Sequence, residues 1–109
     1  MHKKEDISFS DIDGFEWDEG NASKNRLKHD VNTSECEEVF FNDPLLFFDD
    51  DAHSSAKERR YKVLGVNANG RKLSLAITVR SNKIRVIMAR DQSRKERKLF
   101  KEDREKENI

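Results

Sequence analysis

The sequence predicts a single α+β domain: an antiparallel β-meander with two helices before it and one after. Three observations lead there. Between Lys57 and Arg90, apolar residues alternate with polar or cationic ones in runs separated by turn residues, which is the period of half-buried strands. On either side lie cap residues followed by helical spacing. At 109 residues, the chain has length for one core.

Hydrophobic residues are 34% and charged residues 40%. Because the apolar residues are periodic where they occur, this is the balance of a small core with solvated tails rather than of disorder throughout. We read residues 1–12 as a flexible tail, 13–101 as the domain and 102–109 as a frayed charged end. The net charge of zero hides an asymmetry. Residues 1–53 hold 15 acidic and 5 basic side chains, a net of −10, and residues 54–109 hold 7 and 17, a net of +10. Either the two halves pair or are simply solvated, or a basic face meets phosphate or an acidic partner.

Phe15-Glu16-Trp17 is a short apolar–polar–apolar strand. Asp18 can cap the helix that follows, over roughly residues 19–28, whose apolar content is thin (Ala22, Leu27). Asp30 stands where that helix should stop, at a position that favours left-handed backbone. Asn32 with Glu35 reads as a capping box, with Val31 and Cys36 placed as a hydrophobic staple. Cys36, Val39 and Phe40 form one apolar stripe. Asp43-Pro44 is expected to end this second helix. Leu45-Leu46-Phe47-Phe48 is a strand, broken by Asp49-Asp50-Asp51, a solvated acidic loop without Ca²⁺ or Mg²⁺ ligand spacing.

Residues 59–65 form the next strand, with Tyr61 and Val63 on one face. Asn69-Gly70 is a hairpin signal, and Leu73, Leu75, Ile77 and Val79 mark one face of the following strand. Ser81-Asn82 turns the chain into the last strand, with Ile84, Val86 and Met88 on its apolar side and Arg85 and Ile87 on the other. Ser93-Arg94-Lys95-Glu96 is a capping box opening a basic helix anchored only by Leu99 and Phe100. We expect the helices to pack on one face of the sheet.

Cys36 is the sole cysteine, so no internal disulfide is available, and its apolar neighbours mark it as a buried structural thiol. No apolar run approaches the roughly 20 residues of a membrane span, and the N-terminus lacks the apolar core of a signal peptide. A soluble cytoplasmic protein without a cofactor or membrane partner is expected.

The ordered motifs resemble those of the BrnT toxins. Phe15-Glu16-Trp17-Asp18, Asn25, Lys28-His29 and Val31 are similar to that family's opening. Val39-Phe40, Asp43-Pro44, His53-Ser54, Glu58, Arg60-Tyr61 and Gly65 continue the likeness. So do the segment from Ile84 to Arg90 and Arg94-Lys95-Glu96-Arg97. Together they cover residues 14–101. The resemblance implies a RelE-like fold and a ribonuclease toxin of a type II toxin–antitoxin pair. It also implies a small DNA-binding antitoxin, BrnA, that masks the toxin, with operator DNA bound only through the complex, and it leaves open a toxin dimer there. Four departures stand out: Asp30 where the family usually has Gly, Arg59 where a second acid is common, Phe100 where Tyr is frequent, and Asp91-Gln92 after Arg90.

Cleaving RNA without a metal requires a base for the 2′-hydroxyl, cations on the phosphate and an acid for the leaving oxygen. Arg60, Arg85 and Arg90 are the candidate cations, since arginine stays charged and forks onto phosphate oxygens. Arg60 and Arg90 are also supported by the resemblance, and each of the three is otherwise a surface or strand-edge arginine. His53 lies in the acidic loop, where carboxylates favour its charged form and suit it as an acid; otherwise it is a solvated loop histidine. Glu58 is either the base or the partner that orients an arginine. Lys28 and His29 complement the end of the first helix or contact RNA. Trp17 belongs to the core or stacks on a base. Two readings compete with an active endoribonuclease that slows translation: a non-catalytic toxin homologue that binds the antitoxin as a co-repressor, and an unrelated basic RNA-binding domain.

Overall fold

The computed structural model describes residues 11–107, apart from the side chains of Asn21, Leu27 and residues 103–107. Most of the expected N-terminal tail, the side chain of Leu27 and the very C-terminus therefore lie outside the described residues. The elements run β1 (Gly14–Glu16), α1 (Glu19–His29), α2 (Thr33–Val39), β2 (Leu46–Asp49), β3 (Arg60–Val66), β4 (Lys72–Arg80), β5 (Lys83–Asp91) and α3 (Arg94–Glu107), with a single 3₁₀ turn at Asp51–His53 before β3. The α+β class and the order of elements match the sequence reading.

The sheet is five-stranded, in the order β1-β5-β4-β3-β2. β2 to β5 form the expected antiparallel meander. β1 pairs with β5 in parallel, Phe15 opposite Ile84, so the sheet is mixed rather than purely antiparallel. The chain can return to that edge in parallel because α1, α2 and the meander intervene between the two strands.

Alternation divides the sheet into two faces. One carries Phe47, Val63, Leu73, Leu75, Ile77, Ile84, Val86 and Ala89, and packs against Val31, Cys36 and Val39 from α2 and its lead-in. Leu46, Phe48 and Leu64 point the other way and meet Leu99 and Phe100 of α3. The helices therefore do not share one face. α3 takes the second because β2 is apolar on both sides and would otherwise expose Leu46 and Phe48. α1 lies along β5, where Asn25 Oδ1 accepts the Ala89 N–H at 3.2 Å. Burial pushes the Cys36 thiol up to about 12, with Glu35 and Glu37 adding to it, as befits an inert core thiol.

The local signals act as their chemistry suggests. Asp18 Oδ1 accepts the Gly20 N–H, Asp30 adopts φ 53° at the end of α1, and Asn32 and Glu35 close a reciprocal capping box. α2, however, ends at Val39, before Asp43-Pro44. The Phe40 and Phe41 N–H groups turn back onto Glu37 and Glu38 carbonyls, tightening the last turn early. The two hairpins also differ from expectation. Ser81 and Asn82, at φ 52° and 62°, make the tight two-residue turn joining Arg80 to Lys83. Asn69-Gly70 sits in a longer loop in which Gly70 alone has positive φ and Asn67 Oδ1 accepts the Asn69 and Arg71 N–H groups.

α2 approaches the sheet closely at Gly65, where an added Cβ would collide with Val39 Cγ1. Valine is stiff at χ1 and cannot swing away. Gly65→Ala should therefore destabilise the fold by about 1–3 kcal/mol through overpacking. Urea unfolding should show a positive coupling on adding Val39→Ala, and purely additive effects would refute this contact.

Candidate active site

The second face of the sheet is only partly covered by α3. Its open part is laid out in rows across β3, β4 and β5: Arg60–Thr78–Arg85, Lys62–Ala76–Met88 and Leu64–Ser74–Arg90. The last two rows depend on an irregularity. Ile77 pairs with Val86 and Ala76 with Met88, so Ile87 is an extra residue in β5. A β-bulge of this kind reverses the alternation beyond it. Ala89 thereby enters the core, and Met88 and Arg90 turn to the face of Arg60 and Lys62. Met88 is thus not on the core side with Ile84 and Val86, as simple alternation predicts.

A cavity of about 380 Å³ opens on this face, with Arg60, Lys62, Ser74, Met88 and Arg90 in its wall and Lys24, Asp50 and His53 at its rim. Arg60 is oriented by Glu58, whose Oε1 accepts the Arg60 Nε–H at 3.0 Å; its other oxygen accepts from Arg80 at 3.3 Å. The Arg60 hydrogen bond, together with the charges of Arg60 and Arg80, holds the Glu58 carboxyl below its usual range. Glu58 is ionised and engaged, and it does not line the cavity.

Glu96, 5% exposed, organises the opposite wall. Its carboxylate accepts from both Arg90 Nη1 (2.7 Å) and Nη2 (3.1 Å), as well as from Lys62 Nζ and the Ser74 hydroxyl (3.1 Å). It also closes the cap of α3, with Oε1 accepting the Ser93 N–H and Ser93 Oγ accepting the Glu96 N–H. Burial pushes this carboxyl up, but Arg90, Lys62 and the Ser93 N–H outweigh burial and hold it well below the usual carboxylate range. At the rim, His53 Nδ1 stands 3.0 Å from both Asp50 oxygens. Nε2 makes no hydrogen bond among the described residues. Ser54 ties this loop to β3, its hydroxyl accepting the Arg60 N–H at 2.9 Å and donating to Asp50 O.

The cavity thus gathers His53, Arg60 and Arg90 from the expected set, with Glu58 behind Arg60. Arg85 faces the same side but is outside the wall, bonded to Asp18 at 3.0 Å. Lys28 is exposed on α1, and His29 offers its carbonyl to Arg71 NH2 at 3.1 Å; neither reaches the cavity. Trp17 is half-buried against the main core, and its Nε1 has no hydrogen-bond partner among the described residues. Sequence reasoning missed Lys62, Lys24 and Ser74, and read Glu96 only as a cap. Lys62 was within reach, two residues from Arg60 on the same strand face. Arg71 was also missed as a structural clamp: it bonds the Asp30 carbonyl, Glu35 and Asp91, and thereby joins α1, α2 and β5.

A family model described as the ribonuclease toxin BrnT of a type II toxin–antitoxin system matches residues 17–96, most of the chain. The chain belongs to the BrnT family. The BrnT match runs from Trp17 to Glu96 and so includes every residue of the cavity. BrnT proteins are ribonuclease toxins, and a type II system supplies an antitoxin partner. No curated protein matches the chain, and no helix among the described residues is long and apolar enough to cross a membrane.

Ionisation of Glu96 has a checkable sign. A carboxyl with a depressed folded-state pKa stabilises the fold above its unfolded value, about 4.3, and loses that contribution as pH falls toward the folded value. Glu96→Gln is expected to cost about 3 kcal/mol near neutral pH. In urea titrations the gap to the parent should narrow by about 1.4 kcal/mol per pH unit below about 4.3. A gap independent of pH would show that the ionised carboxylate is not what holds this wall.

Proposed function

We propose that the chain is a metal-independent endoribonuclease of RelE-like fold, acting on RNA at the cavity between Arg60 and Arg90. The convergence of Arg60, Lys62 and Arg90 on one sheet face beside the His53–Asp50 pair carries this reading. In it, the 2′-hydroxyl loses its proton to solvent water, its oxygen attacks the adjoining phosphorus, the P–O5′ bond breaks, and a 2′,3′-cyclic phosphate and a 5′-hydroxyl result. Arg60 and Arg90 bind the phosphate oxygens as negative charge develops. Their guanidinium forks, held in advance by Glu58 and Glu96, need little reorganisation during the reaction. Asp50 orients the His53 ring through Nδ1, and in this reading the Nε2–H protonates the leaving 5′-oxygen. Glu58 is a positioning residue rather than the base. In this reading Lys28, His29 and Arg85 contact RNA outside the cavity and take no part in the chemistry.

The partner in this reading is a BrnA-type DNA-binding antitoxin that covers the cationic face in the cytoplasm. Operator DNA is bound only through the complex, in which a toxin dimer is one arrangement. A second reading, a non-catalytic antitoxin-binding co-repressor, is favoured by one observation: both Arg90 terminal nitrogens already bond to Glu96, which competes with phosphate.

Purified chain free of antitoxin, incubated with RNA in EDTA, is expected to cleave it. Arg60→Ala and Arg90→Ala should each reduce the rate about 10²–10³-fold without loss of folding. Activity untouched by either variant would place the chemistry elsewhere. Absence of cleavage, both on free RNA and with translating ribosomes, together with intact antitoxin binding would support the co-repressor.

A further inference from the structure

A second cationic feature lies outside the cavity and plays no part in its chemistry. Lys72 at the start of β4 and Arg94, Lys95, Arg97, Lys98 and Lys101 of α3 line a shallow groove of about 670 Å³. All six are exposed. Arg94, Arg97, Lys98 and Lys101 follow the three- and four-residue spacing of one helix face. Among the described residues, no carboxylate stands within ion-pair distance of any of the six. Elsewhere the basic half is largely neutralised: Arg59 pairs with Asp49 and Asp51, Arg71 with Glu35, Lys83 with Asp13, and Arg85 with Glu16 and Asp18. Among the described residues, the cations of the sheet's second face that lack an ion-pair partner are therefore concentrated on this groove.

We propose that this groove binds the phosphate backbone of the single-stranded RNA that flanks the bond cleaved in the cavity. This inference rests on the ribonuclease reading for its substrate but concerns a separate surface. Lys72 and Ser74 lie on the same side of β4, about 7 Å apart at two residues of strand rise. Ser74 is in the cavity wall and Lys72 in the groove. Ser74 itself is buried and bonded to Glu96, so the groove adjoins the cavity along β4, and a strand leaving the cavity reaches Lys72 and then the α3 stripe. Such a cluster of flexible, hydrated cations neutralises phosphates without reading bases, so the groove adds affinity and salt dependence rather than sequence preference.

The test compares the full chain with the triple variant Lys72→Ala, Lys98→Ala, Lys101→Ala, whose exposed side chains make no hydrogen bond or ion pair among the described residues. Binding to a long 2′-O-methyl oligoribonucleotide, which lacks the attacking hydroxyl, is followed against salt. The slope of log K against log salt should fall in magnitude by about 2, at roughly 0.7 per lost single-strand contact. Cleavage of long RNA at low concentration should fall several-fold, while cleavage of a dinucleotide is unchanged. An unchanged RNA slope overturns the groove's role, whether it comes with weaker duplex-DNA binding or with weaker antitoxin binding. A chain that shows the slope change but cleaves nothing supports the groove and refutes the nuclease reading, so the two failures are distinguishable.

Discussion

The carboxylate of Glu96 is the constraint on which the rest of the site depends. It is nearly buried, yet it is held ionised because its oxygens face Arg90, Lys62, Ser74 and the Ser93 N–H together. A buried charge with fewer partners would be costly. One side chain thus starts α3, docks that helix against β3, β4 and β5, and aims two cations into the cavity. The local role and the long-range role cannot be separated, since the cap geometry that satisfies the helix also sets where the carboxylate stands.

Around that clasp, opposite charges are distributed with a consistent logic. The acidic first half and the basic second half do pair across the fold, at Arg59, Arg71, Lys83 and Arg85. The pairing is incomplete, however, and the unneutralised part gathers along α3. The fold therefore holds both paired charges and an exposed basic surface, in different places. Pairing fixes the direction of the arginines, and exposure leaves the lysines of α3 in water, which suits a contact without geometric demands.

The departures from the family pattern find places in this architecture. Phe100 is 4% exposed, packed with Leu46, Phe48 and Leu64, so it stabilises the seating of α3. Asp91 holds Arg71 in a two-point contact, which keeps its carboxyl below the usual range. Gln92 donates to the Gly65 and Leu73 carbonyls, and Arg59 pairs with the acidic loop. None of these four side chains lines the cavity. Their substitution bears on how the frame is held rather than on the groups that face a ligand.

The elements, their order, the caps at Asn32 and Ser93, the stop at Asp30 and the buried Cys36 were legible in the sequence. Each rests on the period of neighbouring residues or on hydrogen bonds spanning three or four positions, which the chain carries locally. Residue type and the resemblance also singled out Arg60, Arg90 and His53, which the fold brings to one cavity. The tertiary structure alone decided that β1 joins in parallel, that α3 takes the opposite face, and that Glu96 binds Arg90 and Lys62, because these depend on groups distant in sequence. It also decided the bulge at Ile87. Strict alternation had placed Met88 on the core side, and by the same count Arg90 would have been there too. An extra residue is accommodated only when β5 is laid against β4 and the small Ala89 is the side chain that fits the core.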